Sequence, residues 1–256
     1  KIPAKEKPVE ILKKKNGFQE WLEVTRFLFK EPVVLVLSLL KSGLAVAGGI
    51  MTLIPLMASQ VLSKPAMLSL GIGILYSARG LGAALGPLLV KRLFGETSTV
   101  LHWSIAASFF LKAGSYLFIA NSENLWTLSF GVAAATLFGS IIWVFSSALI
   151  HLSTPDRYLG RVFSFELAVM TLVMGISNWG VGFAVDGLGL TFNQVALWMA
   201  ALVILPGLFW TGFLTFVRKK LQQGDCVGSI CPIDPSGFNP LPLVHEGQIE
   251  KKVQEK

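Results

Sequence analysis

Arg79 stands in the middle of an apolar run, LYSARGLGAALGPLLV. A guanidinium among aliphatic neighbours has two kinds of chemistry open to it. It can line a polar path and bind an anionic group, or it can pair with a carboxylate from a neighbouring helix. No acid in the chain stands at an evident matching depth, which turns attention to a cavity or to a partner outside the chain. Lys41 lies eight residues into another apolar run, about 12 Å along a helix at 1.5 Å per residue. It either joins such a path or snorkels back to the interface along its aliphatic stem. Lys112 occupies a third run, entered from the other side, and a structural role is expected for it. Glu166 is expected one turn inside a run that starts near residue 163, behind Arg157 and Arg161. A carboxylate there suits the positive end of a helix dipole or an interface. His102, at the start of its run, is expected at the interface.

Other chemistries find no residues here. There is no P-loop, no HExxH, no nucleophile-and-base order in a loop context and no dense His/Cys cluster. Nothing argues for an enzyme, a metal or a cofactor. Cys226 and Cys231 have the wrong spacing for zinc and no further ligands beside them. They read as free thiols on a polar tail, with palmitoylation as the alternative.

The elements that position these charges must be membrane helices. Only 14% of the 256 residues are charged and 53% are hydrophobic, against about 25% charged in soluble domains. Mean hydropathy is +0.63. A bilayer-spanning helix needs about 20 apolar residues. Six windows supply them, at 33–59, 67–90, 100–120, 125–150, 163–185 and 194–217. Period-two alternation is absent over these runs, so strands are excluded. Before the first span, GFQEWLEVTRFLFKE places Phe18, Trp21, Leu22, Leu28 and Phe29 near helical spacing, as in an amphipathic helix lying among headgroups. Glycines 82 and 86, four apart, allow close helix packing. Pro55, Pro87 and Pro206 are expected to kink their spans near the ends.

The net charge of +7 comes from basic residues at span ends, which signal topology rather than nucleic acid. With both termini cytoplasmic, the inside holds Lys13, Lys14, Lys15, Arg26, Lys30, Lys91, Arg92, Arg157, Arg161, Arg218, Lys219 and Lys220, and the outside holds Lys64. That satisfies the positive-inside rule and places the chain in the plasma (inner) membrane. Three regions follow: a cytoplasmic linker with its interfacial helix over 1–32, six spans over 33–217, and a disordered cytoplasmic tail over 218–256. The chain opens Lys1-Ile2-Pro3 without an initiator Met, as a fragment would.

Three stretches carry a family likeness: GFQEWLEVTRFLFKEPVVLVL, YSARGLGAALGPLLVKRL and STPDRYLGRVFSFELAV. Together they resemble the C-terminal six-helix half of a major facilitator superfamily transporter, in the exporter group that includes enterobactin and macrolide efflux proteins. The resemblance implies an all-α membrane fold and efflux of a small molecule by alternating access. It also implies a midplane cavity shared with an N-terminal six-helix half, or with a second copy. The first, second, fourth and fifth spans would line that cavity, with Arg79, Lys41, Trp143, Ser146, Ser147 and Asn178 as path residues. The third and sixth would face lipid, Lys112 among them. Glu166, with Arg157 and Arg161 nearby, would act at the gate by pairing with a basic loop of the other half. Two other classes fit six spans: the membrane domain of an ATP-driven exporter, and a self-associating scaffold or channel subunit. Cytoplasmic loops of about ten residues are short for the first, which needs long helical extensions.

Overall fold

The computed structural model describes residues 17–62, 67–95 and 97–222, and every element among them is a helix. In chain order these are α1 (Gly17–Lys30), α2 (Pro32–Val46), α3 (Ile54–Val61), α4 (Leu68–Phe94), α5 (Ser98–Ala120), α6 (Leu125–Ser153), α7 (Asp156–Gly182) and α8 (Phe192–Gln222). Six segments are long and apolar enough to cross a bilayer: Pro32–Ser59, Leu68–Phe94, Thr99–Ala120, Leu125–Ser153, Asp156–Gly187 and Phe192–Lys220. Lys64, Cys226, Cys231 and the residues expected to form the tail beyond Gln222 lie outside the described residues.

Local chemistry sets the helix ends. The Thr97 and Asn124 side chains accept hydrogen bonds from the backbone N–H groups of Val100 and Thr127, capping α5 and α6. Gly95, at φ 81°, closes α4 in a conformation that favours glycine. Pro155 stops the chain before α7, and Asp156 supplies the acid of its first turn.

α6 is the spine of the bundle. It packs on α4 and α5, α5 packs on α8, and α2 packs chiefly on α7 with further contacts to α6 and α8. The α4–α6 contact depends on glycine. A Cβ at Gly82 would run into the Ala133 carbonyl and the Thr136 hydroxyl, and one at Gly86 into the Leu137 carbonyl and the Ser140 hydroxyl. With little hydrophobic driving force between helices in lipid, such close backbone approach carries the association. Elsewhere Gly43 receives the ring of Pro206, whose Cβ would be 2.7 Å from an added methyl. Trp210, fully buried, donates its indole N–H to the His102 carbonyl at 3.1 Å and ties α8 to α5. The His102 side chain is itself 4% exposed, with its ring stacked on Trp210.

α1 meets the bundle end where α7 starts. Val24 and Leu28 are buried, and the Phe27 ring stacks on Tyr158 at 4.5 Å. Leu28 packs into the bundle, whereas Leu22 and Phe29 stay exposed on the helix surface. The side chains of Phe18 and Trp21 are not among those described.

The first span departs from expectation. It is not one helix over 33–59: α2 stops at Val46, a 3-10 turn runs from Gly48 to Leu53, and α3 restarts before Pro55. Pro55 has no N–H for the Met51 carbonyl, and the pair Gly48-Gly49 weakens the helix just upstream. The break therefore precedes the proline instead of kinking the end of the span.

The α4–α6 contact gives a direct test. Gly86→Val should lower stability by about 1–3 kcal/mol, the usual penalty of overpacking. Gly80→Ala, where an added Cβ meets nothing within 4 Å, should leave it unchanged. Thermal unfolding of both variants in detergent, followed by size-exclusion chromatography, reads the difference.

Candidate functional site

Three basic side chains from three different helices reach one cavity of about 500 Å³: Lys41 of α2, Arg79 of α4 and Lys112 of α5. Its apolar wall is built from Leu44, Met51, Tyr116, Trp143, Met170 and Met174. Three thioether side chains and two aromatic rings beside three cations make a chamber suited to an amphipathic guest.

The three cations are held differently. Lys41 is 3% exposed, and its ammonium meets Glu166 Oε2 of α7 at 3.0 Å. It also donates to the Ser147 hydroxyl of α6 at 2.7 Å. The rings of Trp143 and Phe163 lie 4.7 and 5.5 Å from its nitrogen, within cation–π range. Lys41 does not snorkel, because a carboxylate and a hydroxyl satisfy it inside the bundle.

Glu166 is fully buried. The expectation of a first-turn carboxylate fails because α7 starts at Asp156, which takes the place beside the helix terminus. Glu166 lies nearly three turns further along, about 15 Å at 1.5 Å per residue. Its Oε2 pairs with Lys41, and its Oε1 is buried without a hydrogen-bond partner among the described residues. Arg157 stays at the exposed end of α7 with its guanidinium 5.3 Å from the Tyr158 ring, and Arg161 is half-buried one turn later.

Arg79 is half-buried on the cavity wall, and among the described residues no carboxylate pairs with it. Lys112 is 5% exposed and donates to the Ala135 carbonyl at 2.9 Å, with the Tyr116 ring 4.9 Å away. It reaches the cavity because α6 carries glycine where α5 crosses it: a Cβ at Gly139 would sit 3.2 Å from the lysine nitrogen. The expectation that the third span keeps Lys112 away from the cavity is therefore corrected.

The remaining expected path residues separate. Trp143 and Ser147 join the Lys41 cluster. Ser146 is fully buried and returns its hydroxyl to the Trp143 carbonyl at 3.1 Å. Asn178 is half-buried outside the cavity lining, with its Oδ1 lacking a hydrogen-bond partner.

Two residues that sequence reasoning passed over secure the helix break beside the cavity. The Ser177 hydroxyl donates to the Val46 carbonyl at 2.7 Å and accepts from the Gly49 N–H at 3.1 Å. The Tyr116 hydroxyl donates to the Ala47 carbonyl at 3.0 Å. In a bilayer no water is at hand to satisfy backbone groups freed by such a break, so neighbouring helices must do it. The Gly48-Gly49 pair upstream of Pro55 was the available signal that such partners would be needed.

Comparison with known proteins agrees with this architecture. The chain is 28% identical over 158 residues to the enterobactin exporter EntS of Salmonella choleraesuis (strain SC-B67), a major facilitator superfamily transporter. The match covers 60% of this chain and 36% of that protein, so the chain aligns with about a third of its relative's length. No family model matches, and no solved structure matches. Six apolar helices and this similarity together fit the half-transporter fold that the sequence resembles.

The buried pair predicts a coupled energetic response. Lys41→Met strands the Glu166 charge and should destabilise by about 3–5 kcal/mol, as breaking a buried pair does. Adding Glu166→Leu to it should recover most of that loss. A double-mutant cycle on thermal stability in detergent checks this, and additive losses would contradict the pairing.

Proposed function

We propose that the chain is one half of a secondary transporter, and that the whole transporter exports an amphipathic, anionic small molecule by alternating access. The observation that carries this reading is Arg79, a cation on the wall of a chamber inside a membrane bundle with no carboxylate of the described chain to neutralise it. A charge in that position is costly unless it faces a cavity or a partner. The chamber also supplies the apolar contact area that an amphipathic cargo needs. The similarity to an exporter supports the direction of transport.

In this reading the second half of the cavity belongs to an N-terminal six-helix half or a second copy. α4 and α7 are the spans with the least buried surface, and they carry Leu81, Leu88, Leu172 and Trp179 outward. These faces would meet the other half or lipid. The chain lies in the plasma (inner) membrane with the ends bearing Lys91, Arg92, Arg157, Arg161, Arg218, Lys219 and Lys220 on the cytoplasmic side, as the positive-inside rule directs. Arg157 and Arg161, at the start of α7, are positioned to meet cytoplasmic loops during the cycle. Lys41 and Trp143 shape the inner wall, Ser147 holds the Lys41 ammonium, and Arg79 selects for charge.

Everted membrane vesicles carrying the full-length protein should accumulate 2-naphthyl sulfate. Arg79→Ala should reduce that uptake at least about tenfold, the worth of one lost charge-assisted hydrogen bond, and Arg79→Lys should retain part of it. Uptake unchanged in Arg79→Ala would contradict the assignment.

A further inference from the structure

Lys112 is the buried charge that the proposed transport path does not use. Its helix, α5, packs between α6 and α8, where an apolar side chain would serve packing better. An ammonium has three donors, and among the described residues Lys112 forms one hydrogen bond, to the Ala135 carbonyl at 2.9 Å. Tyr116 adds a ring contact at 4.9 Å but spends its hydroxyl on the Ala47 carbonyl. Among the described residues no carboxylate pairs with Lys112. A structural lysine at such depth is expected to find an acid or several carbonyls, and Lys112 has neither. Instead Gly139 leaves the space through which its ammonium reaches the chamber that Arg79 also lines.

The charge balance of that chamber points to its guest. Glu166 neutralises Lys41. Among the described residues, Arg79 and Lys112 remain as two cations without an acid. A single negative charge would leave one of them uncompensated in a low-dielectric site, whereas a doubly charged headgroup would satisfy both.

We propose that Lys112 and Arg79 form a two-point anion site, and that Lys112 selects cargo carrying two negative charges on one headgroup over cargo carrying one. The inference rests on the transporter reading above and names its substrate class: an apolar or aromatic body with a dianionic head. Arg79 supplies the general attraction for anions, and Lys112 supplies the preference for the second charge.

Two probes with the same aromatic body separate these roles. 2-Naphthyl phosphate is mostly a dianion at pH 7.5, above the second ionisation of a phosphate monoester at about 6, and 2-naphthyl sulfate is a monoanion. Equilibrium binding to the purified full-length protein in nonionic detergent should favour the phosphate by about tenfold or more, as one further charge-assisted contact provides. Lys112→Gln, which can still donate to the Ala135 carbonyl, should bring the two affinities within about twofold, because phosphate loses far more than sulfate, whose binding is weakened but retained. Retained sulfate binding also reports that the variant is folded. Arg79→Gln should weaken both probes.

A wild-type protein that binds sulfate as tightly as phosphate overturns the dianion assignment without recourse to any variant. So does a Lys112→Gln protein that keeps the wild-type preference. Failure of wild type to bind either probe would instead remove the anion-transport reading itself.

Discussion

The contact between Lys41 and Glu166 decides what the other charges in the bundle are free to do. In a bilayer, ions cannot be left to water, so each must be matched inside the protein. Glu166 commits its charge to Lys41 at 3.0 Å, and Ser147 completes the site from a third helix. The pair joins the first span to the fifth where the two pack together. With Lys41 paired, Arg79 and Lys112 are the cavity cations that no carboxylate pairs with among the described residues.

The same accounting of polar groups explains the broken first span. Ending α2 at Val46 frees backbone groups at membrane depth. Ser177 of α7 and Tyr116 of α5 satisfy them, so the break is fastened on both sides by helices that also border the cavity. Gly48 and Met51 within the turn line the chamber. The chain thus places irregular backbone where protein surrounds it, which is the arrangement a membrane interior permits.

Much of this was legible from residue order, and the rest depended on helix phase and packing. Six apolar runs and Arg79 near the centre of one needed no coordinates, because hydropathy over about 20 residues is a strong signal. Lys41 was found, but its partner was not. The sequence pattern puts Glu166 too close to a helix end, because the polar stretch from Asp156 to Arg161 looks like a loop when it forms the first turns of α7. The family resemblance puts Lys112 on a lipid-facing span. What brings it inward is a gap on a different helix, at Gly139, and a pairwise relation of that kind leaves no mark in a single run of sequence. Ser177 and Tyr116 look unremarkable until the break they satisfy is known.

The central claim is that Glu166 neutralises Lys41 and leaves Arg79 and Lys112 as the cations that receive an anion. Crystals of the protein soaked in bromide and measured at the bromine absorption edge would test it most directly. An anomalous peak between the Arg79 and Lys112 side chains, with none against Lys41, is the predicted result. A peak at Lys41, or a cavity without bromide beside either of the other two cations, would contradict it.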